Sequence, residues 1–449
     1  MRFVGILLTL TALLPSATPV LKLDPEAQAL VDLTGSAPPE FGADALLQLV
    51  ESEKVTDRDT KIELINRAFR LAAMASYKMP LRTSLSVPGD SETATRASVY
   101  KLKLDVLSLS KRAISDMLPL DKLRARDLFQ QIPRPVLGAL TCDDLLVPDV
   151  SAYYETLAQV VQGTFRPEER KKEEHISFLL DYLSGLTSPL QLTAATKVLQ
   201  TVDLTGSQRA VVTNRIAGAM ETMDPDPRSF ASAEGSLDAI MTRELRPSYE
   251  KLLARCRKAK PCEDGIQVSV GTSLDAMRPP PLPDPAKAKL YWTSGGSKAI
   301  LALALRLRFN EGHVMLSAAE RATPEWRQQL TDFLSAAGDW KADVDEPAEV
   351  YFAERSAIYT GLAELIAAGP ERDRVVNEFI AFANNSNFAQ QSPVDWFQAV
   401  RRLYVRVSSS NGAEPTKMLD SFRMCGNPIL ALFAAEQSSL PAKPMFEDN

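Results

Sequence analysis

Apolar residues return at helical spacing along most of this chain, and that periodicity limits its possible folds more than any other feature. Between Thr56 and Ser76, Ile62, Ile65, Phe69 and Ala72 form one stripe, which Leu64, Ala68, Leu71 and Ala75 widen. Steps of three and four residues put such positions on one face of an α-helix. Thr56 with Asp59 reads as the capping-box start of that helix. Leu102, Val106, Leu109 and Ala113 carry the same spacing between Thr93 and Leu118. From Ala348 to Ala368 two heptad series, Tyr351 with Ile358 and Leu365, and Phe352 with Tyr359 and Ile366, flank Leu362. A face that wide predicts a core helix packed on more than one neighbour.

The punctuation agrees with the periodicity. Ser188-Pro189-Leu190-Gln191 and Ser392-Pro393-Val394-Asp395 each place a capping serine, a proline at the first helical position and an acceptor three residues on. Thr323-Pro324 has the same form. Proline suits that position because its missing N–H would have no intrahelical partner and its φ is already helical. Gly369-Pro370 ends one helix and opens the next, which predicts a tight antiparallel hairpin. Such starts and stops predict about fourteen helices of roughly ten to twenty-five residues joined by short loops. The expected fold is all-α, an irregular α-helical hairpin array of solenoid-like or α/α type. No strict repeat period survives. Val-Asp-Leu-Thr-Gly-Ser occurs twice, at 31–36 and 202–207. It reads as a reused helix–turn–helix connection, with Thr-Gly ending one helix and Ser capping the next.

One stretch breaks the rhythm. Within 264–292, Ile266 to Val270 alternates like a short strand, the basis for a minor two-stranded element there. Five prolines then fall in the eight residues from Arg278 to Pro285, and such a run holds an extended, semi-rigid conformation. All four tryptophans, Trp292, Trp326, Trp340 and Trp396, come after it. The expected organisation is a signal peptide over 1–17, an N-terminal helical domain over 18–277, a proline-rich linker over 278–292, a C-terminal helical domain over 293–440 and a tail over 441–449.

The signal-peptide reading rests on Arg2, the apolar run from Val4 to Leu14 and the small-residue exit Pro15-Ser16-Ala17. The run is short of the ~18 residues that a membrane-spanning helix needs, and no later segment is a candidate span. Export to a periplasmic or extracellular location is therefore expected, with no transmembrane anchor. Oxidising surroundings make disulfides admissible. Cys256 and Cys262 are the expected pair, closing a short basic loop past a helix end, while the state of Cys142 and Cys425 stays open.

Composition removes whole classes of function. An apolar fraction of 45% is too high for a disordered chain. Lys and Arg total 51 against 57 Asp and Glu, a net charge of −6, which gives no footprint for nucleic-acid binding. The two histidines, His175 and His313, have no second histidine three or four residues away, and no Cys-x-x-Cys occurs, so no metal site or cofactor is expected. The Ser-x-x-Lys dyads at Ser108 with Lys111 and Ser248 with Lys251 lie inside predicted helices and lack companion motifs. Thr293-Ser-Gly-Gly-Ser-Lys298 superficially suggests anion binding but lacks phosphate-loop spacing, and Ser297 reads as a helix N-cap.

Two functional readings remain. The first is a non-enzymatic exported scaffold or binding protein that presents a helical-array surface, its expected partner being another protein and its ligand open. The second is a secreted polysaccharide-active hydrolase or lyase on an α/α scaffold, which needs two carboxylates set across a sugar ring. Its candidate acids are the loop clusters Asp143 and Asp144, and Asp343, Asp345 and Glu346. The same acids suit solvated helix caps, and none follows a calcium-loop pattern.

Overall fold

The computed structural model describes residues 21–83, 97, 99–141, 144–259, 295–307, 317–344, 346–386, 388–408 and 414–440. Among them lie twenty-one α-helices. In chain order these are α1 (Pro25–Leu33), α2 (Pro39–Glu51), α3 (Arg58–Ala72), α4 (Val106–Met117), α5 (Lys122–Gln130), α6 (Ser151–Gly163), α7 (Pro167–Lys171), α8 (Glu174–Leu183), α9 (Pro189–Thr201) and α10 (Gly206–Thr222). They continue as α11 (Pro227–Ile240), α12 (Arg246–Lys258), α13 (Gly295–Arg306), α14 (Ala318–Arg321), α15 (Pro324–Asp339), α16 (Ala348–Leu365), α17 (Pro370–Asn385), α18 (Phe388–Gln391), α19 (Pro393–Ser408), α20 (Glu414–Met424) and α21 (Pro428–Ser439). The all-α class holds, and the count exceeds the expected fourteen. Single-turn helices such as α7, α14 and α18 are too short to carry an apolar stripe, so periodicity passes over them.

Local chemistry sets the boundaries. Ser188 and Gln191 form the capping box of α9, with the Ser188 N–H donating to Gln191 Oε1 at 3.0 Å. Thr323 caps α15 by accepting from the Trp326 N–H at 3.3 Å. Gly369, at φ 153°, occupies a conformation that only glycine adopts easily, directly before Pro370 opens α17. Two starts differ from expectation. The cap of α3 is Asp57, not Thr56, because a carboxylate at that position accepts the Thr60 N–H at 2.9 Å. The helix expected across 93–118 is interrupted at Lys103, which is left-handed at φ 56°. Asp105 then caps α4 through the Ser108 N–H.

The twin hexapeptides take different structures. Val31 to Leu33 form the end of α1, whereas Val202 to Leu204 lie outside any helix and Thr205 caps α10 with Gln208. Neither serine is the cap that the sequence suggested. The residues just downstream of each copy explain the contrast. Gln208 completes a capping box at once, while Pro38 and Pro39 delay the start of α2.

Among the described residues the sheet is one antiparallel pair, Leu81–Thr83 with Leu146–Pro148, in the register Leu81 to Pro148 and Thr83 to Leu146. Neither strand carries a clear alternating pattern, so this pair is absent from the expected elements. The strand expected near 264–292 lies outside the described residues, as do the leader over 1–17, the proline run of 278–292 and the tail over 441–449.

One continuous apolar core runs from Ala27 to Ala434. Most helices pack on their neighbours in sequence, as α2 does on α3 and α4. Gly42 permits α2 to approach the end of α1, since a Cβ there would sit 2.9 Å from the Thr34 carbonyl oxygen. The long-range exception is the last helix, α21, which packs against α1 and α2. Phe397 of α19 joins that seam, edge-on to Phe41 at 5.1 Å and to Phe433 at 5.2 Å between ring centres. Tyr77 also reaches across, donating its hydroxyl proton to Asp395. No described helix is long and apolar enough to cross a membrane.

Candidate functional site

The acids singled out in the sequence do not meet in a cleft. Asp144 is half-buried and closes its own turn, accepting from the Thr141 N–H at 2.6 Å and its hydroxyl at 2.9 Å. Its backbone carbonyl accepts from the buried Arg228 at 2.6 Å. Asp343 and Glu346 belong to a separate turn before α16, where Glu346 accepts from the Asp343 N–H at 3.0 Å. These contacts are those of loop and helix caps, which carboxylates form by satisfying free backbone N–H groups. Asp143 and Asp345 lie outside the described residues.

The other motifs resolve in the same structural sense. Ser248 and Lys251 both bind Glu221, at 3.3 and 2.7 Å, so neither is directed at the other. Lys111 pairs with Glu155 on α6. Ser297 is buried in the first turn of α13 rather than capping it. The neighbouring Gly296 lies against Trp340, whose Nε1 would be 2.5 Å from an added Cβ. Gly296 therefore serves helix packing. His175 is buried on α8 against Phe165, with Nδ1 lacking a hydrogen-bond partner among the described residues. Cys256 is buried in the last turn of α12, and its expected partner Cys262, like Cys142 and His313, lies outside the described residues.

Carboxylates do converge elsewhere, at positions that no sequence motif marks. Arg112 of α4 holds Asp44 through Nη1 and Glu51 through Nε, both from α2. Gln48 donates to the second oxygen of Asp44 at 2.7 Å. The third acid is Glu436 of α21, only 7% exposed and without a side-chain hydrogen bond among the described residues. Burial, and then the charge of Asp44, push its carboxyl well above the ordinary carboxylate value, against a downward pull from Arg112. Burial also opposes the charge of Arg112, but Asp44 and Glu51 outweigh it and leave the guanidinium more firmly protonated than usual. Arg401 of α19 faces the same group. Burial lowers its pKa and the Asp44 carboxylate offsets part of that.

The signal for this cluster was present in two helices. On α2 the residues Glu40, Asp44, Gln48 and Glu51 follow helical spacing through an otherwise apolar segment. Glu40 is fully buried and accepts from the Ser76 hydroxyl at 3.0 Å. On α21, Glu436 is the lone ionisable residue of a helix whose Ile429, Leu430, Leu432, Phe433 and Ala434 are all buried. An acid on such a helix is either paired or neutral, because an isolated buried charge costs several kcal/mol or more. Chemically, the cluster can store and exchange a proton. The Arg112 ion pairs bridge α2 and α4, with the side chains of Arg112, Asp44 and Glu51 23–25% exposed, and Arg112 occupies the space between Asp44 and Glu51. Among the described residues no group of three or more His, Cys, Asp or Glu side chains is arranged to hold a metal ion. No protein-family model, curated protein or solved structure matches the chain.

Proposed function

We propose that this protein is an exported, non-enzymatic scaffold or binding protein that engages a partner protein through the surface of its helical array. The supporting observation is where its converging acids go. Asp44 and Glu51 are neutralised by Arg112 inside a helix–helix seam, and Asp144 and Glu346 cap their own turns. Polysaccharide hydrolysis needs two carboxylates about 5–10 Å apart with room for a sugar between them. A guanidinium in that position makes a structural ion cluster instead. Broad surfaces are also how stacked helical hairpins generally work.

The hydrolase alternative has one point in its favour: burial, and then the charge of Asp44, raise the Glu436 carboxyl above its ordinary value, the direction in which glycosidases tune their acid. One comparison separates the readings. Purified full-length protein is incubated with a panel of α- and β-linked polysaccharides and assayed for new reducing ends or unsaturated products. The expected result is no turnover. Turnover that disappears in Glu436→Gln would replace the scaffold reading with the enzymatic one. In parallel, photo-crosslinking from the exposed Val136 and Met424 in the producing cells should give a discrete protein adduct. Recovery of the unprocessed chain from the cytoplasm alone would overturn export.

A further inference from the structure

Between α5 and the short strand Leu146–Pro148 the chain leaves its helices, and over 133–140 it runs without a turn or bend. Pro133 and Pro135 favour this, since proline has no N–H with which to extend a helix and drives the residue before it into extended backbone. Burial alternates over 135–138. Pro135 is buried and Leu137 rests half-buried on the core, while Val136 and Gly138 face outward. That is the period of an extended strand. Val136 is 86% exposed, and a Cβ added at Gly138 would meet nothing within 4 Å.

The segment is tied down on both flanks. Upstream, Arg134 donates through Nη2 to the Asp181 carboxylate at 2.5 Å and through Nη1 to the Asp181 carbonyl at 3.1 Å, with its guanidinium 4.9 Å from the centre of the Tyr182 ring. The Pro135 carbonyl accepts from Gln191 Nε2 at 3.2 Å. That buried amide is itself fixed, because its Oε1 accepts from the N–H groups of Thr187 and Ser188. Downstream, the Leu140 N–H donates at 3.1 Å to Asp226, the acid that also takes the Ser229 N–H in the first turn of α11. Between these ties the backbone groups of residues 136–139 have no hydrogen bond among the described residues.

An extended segment with open backbone edges is a template for pairing with another chain. Main-chain bonds then supply affinity, and pockets for the outward side chains supply selectivity. A serine protease cleft reads an extended chain in this way, with one side chain in a primary pocket that is small in the elastase type. Val136 suits such a pocket, being aliphatic, short and uncharged. A segment already held in its bound shape loses little entropy on docking. We propose that residues 133–140 form a protease-docking loop: Val136 enters the primary pocket of an elastase-type serine protease, and the chain acts as its reversible inhibitor. This rests on the reading of the chain as a binding protein and gives that protein a class of partner.

Inhibition kinetics on the intact chain test the assignment. An elastase-type protease is titrated with the purified chain and its activity read on a chromogenic peptide, while mass spectrometry follows the peptide bond after Val136. The expected result is half-inhibition at or below about 1 μM, with that bond uncut in most of the bound chain. Val136 projects into solvent, so its replacement leaves the fold in place, which circular dichroism checks. Val136→Asp should weaken inhibition by about a hundredfold or more. Val136→Arg should transfer it to a protease whose primary pocket holds a carboxylate. Absence of inhibition, inhibition unchanged in Val136→Asp, or prompt cleavage after Val136 with the protease left fully active each overturns the proposal. If the protease is unaffected while crosslinking from Val136 still captures a discrete protein, the protease assignment falls and the binding-protein reading alone survives.

Discussion

His175 is buried, with the ring of Phe165 6.1 Å away between centres. Burial first, and the nearby Arg170 second, hold its pKa below the ordinary value, with Glu173 pulling weakly upward. In the unfolded chain the same ring titrates near pH 6.5. As pH falls through 6.5 the unfolded state therefore gains a proton that the folded state refuses, and stability drops until the folded value is passed. His175→Gln should flatten the fall in melting temperature between pH 7 and 5, as followed by circular dichroism. An unchanged slope would place the pH dependence on other groups. Glu436 acts in the opposite direction over the neighbouring range, so the two variants should move the pH–stability curve in opposite senses. Gly296 gives a second residue-scale expectation. Gly296→Ala puts a methyl group 2.5 Å from Trp340 Nε1, and overpacking of this kind costs roughly 1–3 kcal/mol. A lower urea midpoint with unchanged m-value would show it. The sequence displayed those glycines but not the indole, which arrives from forty-four positions away along the chain.

Elements were the most legible level, because a helix end is decided by residues within a few positions of one another. Ser188-Pro189-Leu190-Gln191 forms the expected box, and Gln191, fully buried, also donates to the Pro135 carbonyl at 3.2 Å. Ser188→Ala removes a cap that is itself buried and should cost about 1 kcal/mol. Melting temperature and exchange of the first-turn amides of α9 measure it. An effect confined to Tm without fraying of that turn would mean that the hydroxyl stabilises something other than the helix start. The heptads of α16 were equally plain, since Phe352, Ile358, Tyr359, Leu362 and Leu365 are all buried. Legibility failed where two local solutions were nearly equal in energy. Thr56 and Asp57 both suit an N-cap, and the carboxylate won. The 93–118 pattern continued through Lys103, where Asp105 offered a competing cap three residues before Ser108. The identical hexapeptides make the same point, because the residues downstream decided which copy became helix.

At the scale of the whole molecule, the decisive contact was invisible to local reading. Nothing near residue 436 indicates that its environment is built by residues 44 and 112, and the acids chosen instead, Asp144 and Glu346, sat in loops where sequence motifs are easiest to see. A lone glutamate on an apolar helix was the available clue, since such an acid needs a partner or a proton. The same contact makes a prediction about chain order. Because α21 packs on α1 and α2, the beginning and end of the described chain are neighbours, and the residues between 259 and 295 join two helices, α12 and α13, that need not be joined there. A permuted chain that starts at 295, runs to 440, passes through a fifteen-residue Gly/Ser linker to 21 and ends at 259 keeps every helix described above. A linker of that length has a root-mean-square reach of roughly 20 Å and a stretched limit near ~50 Å. The two helices to be joined are only about 14 and 18 Å long at the α-helical rise, so the closure is geometrically easy. Closing it costs little entropy, because loop-closure entropy grows slowly with length. The permutant should fold with the helical content of the parent and melt within a few degrees of it. If it aggregates while the parent with the same linker appended at 440 stays folded, the removed 260–294 segment, which contains the expected linker of 278–292, supplies contacts that the array requires.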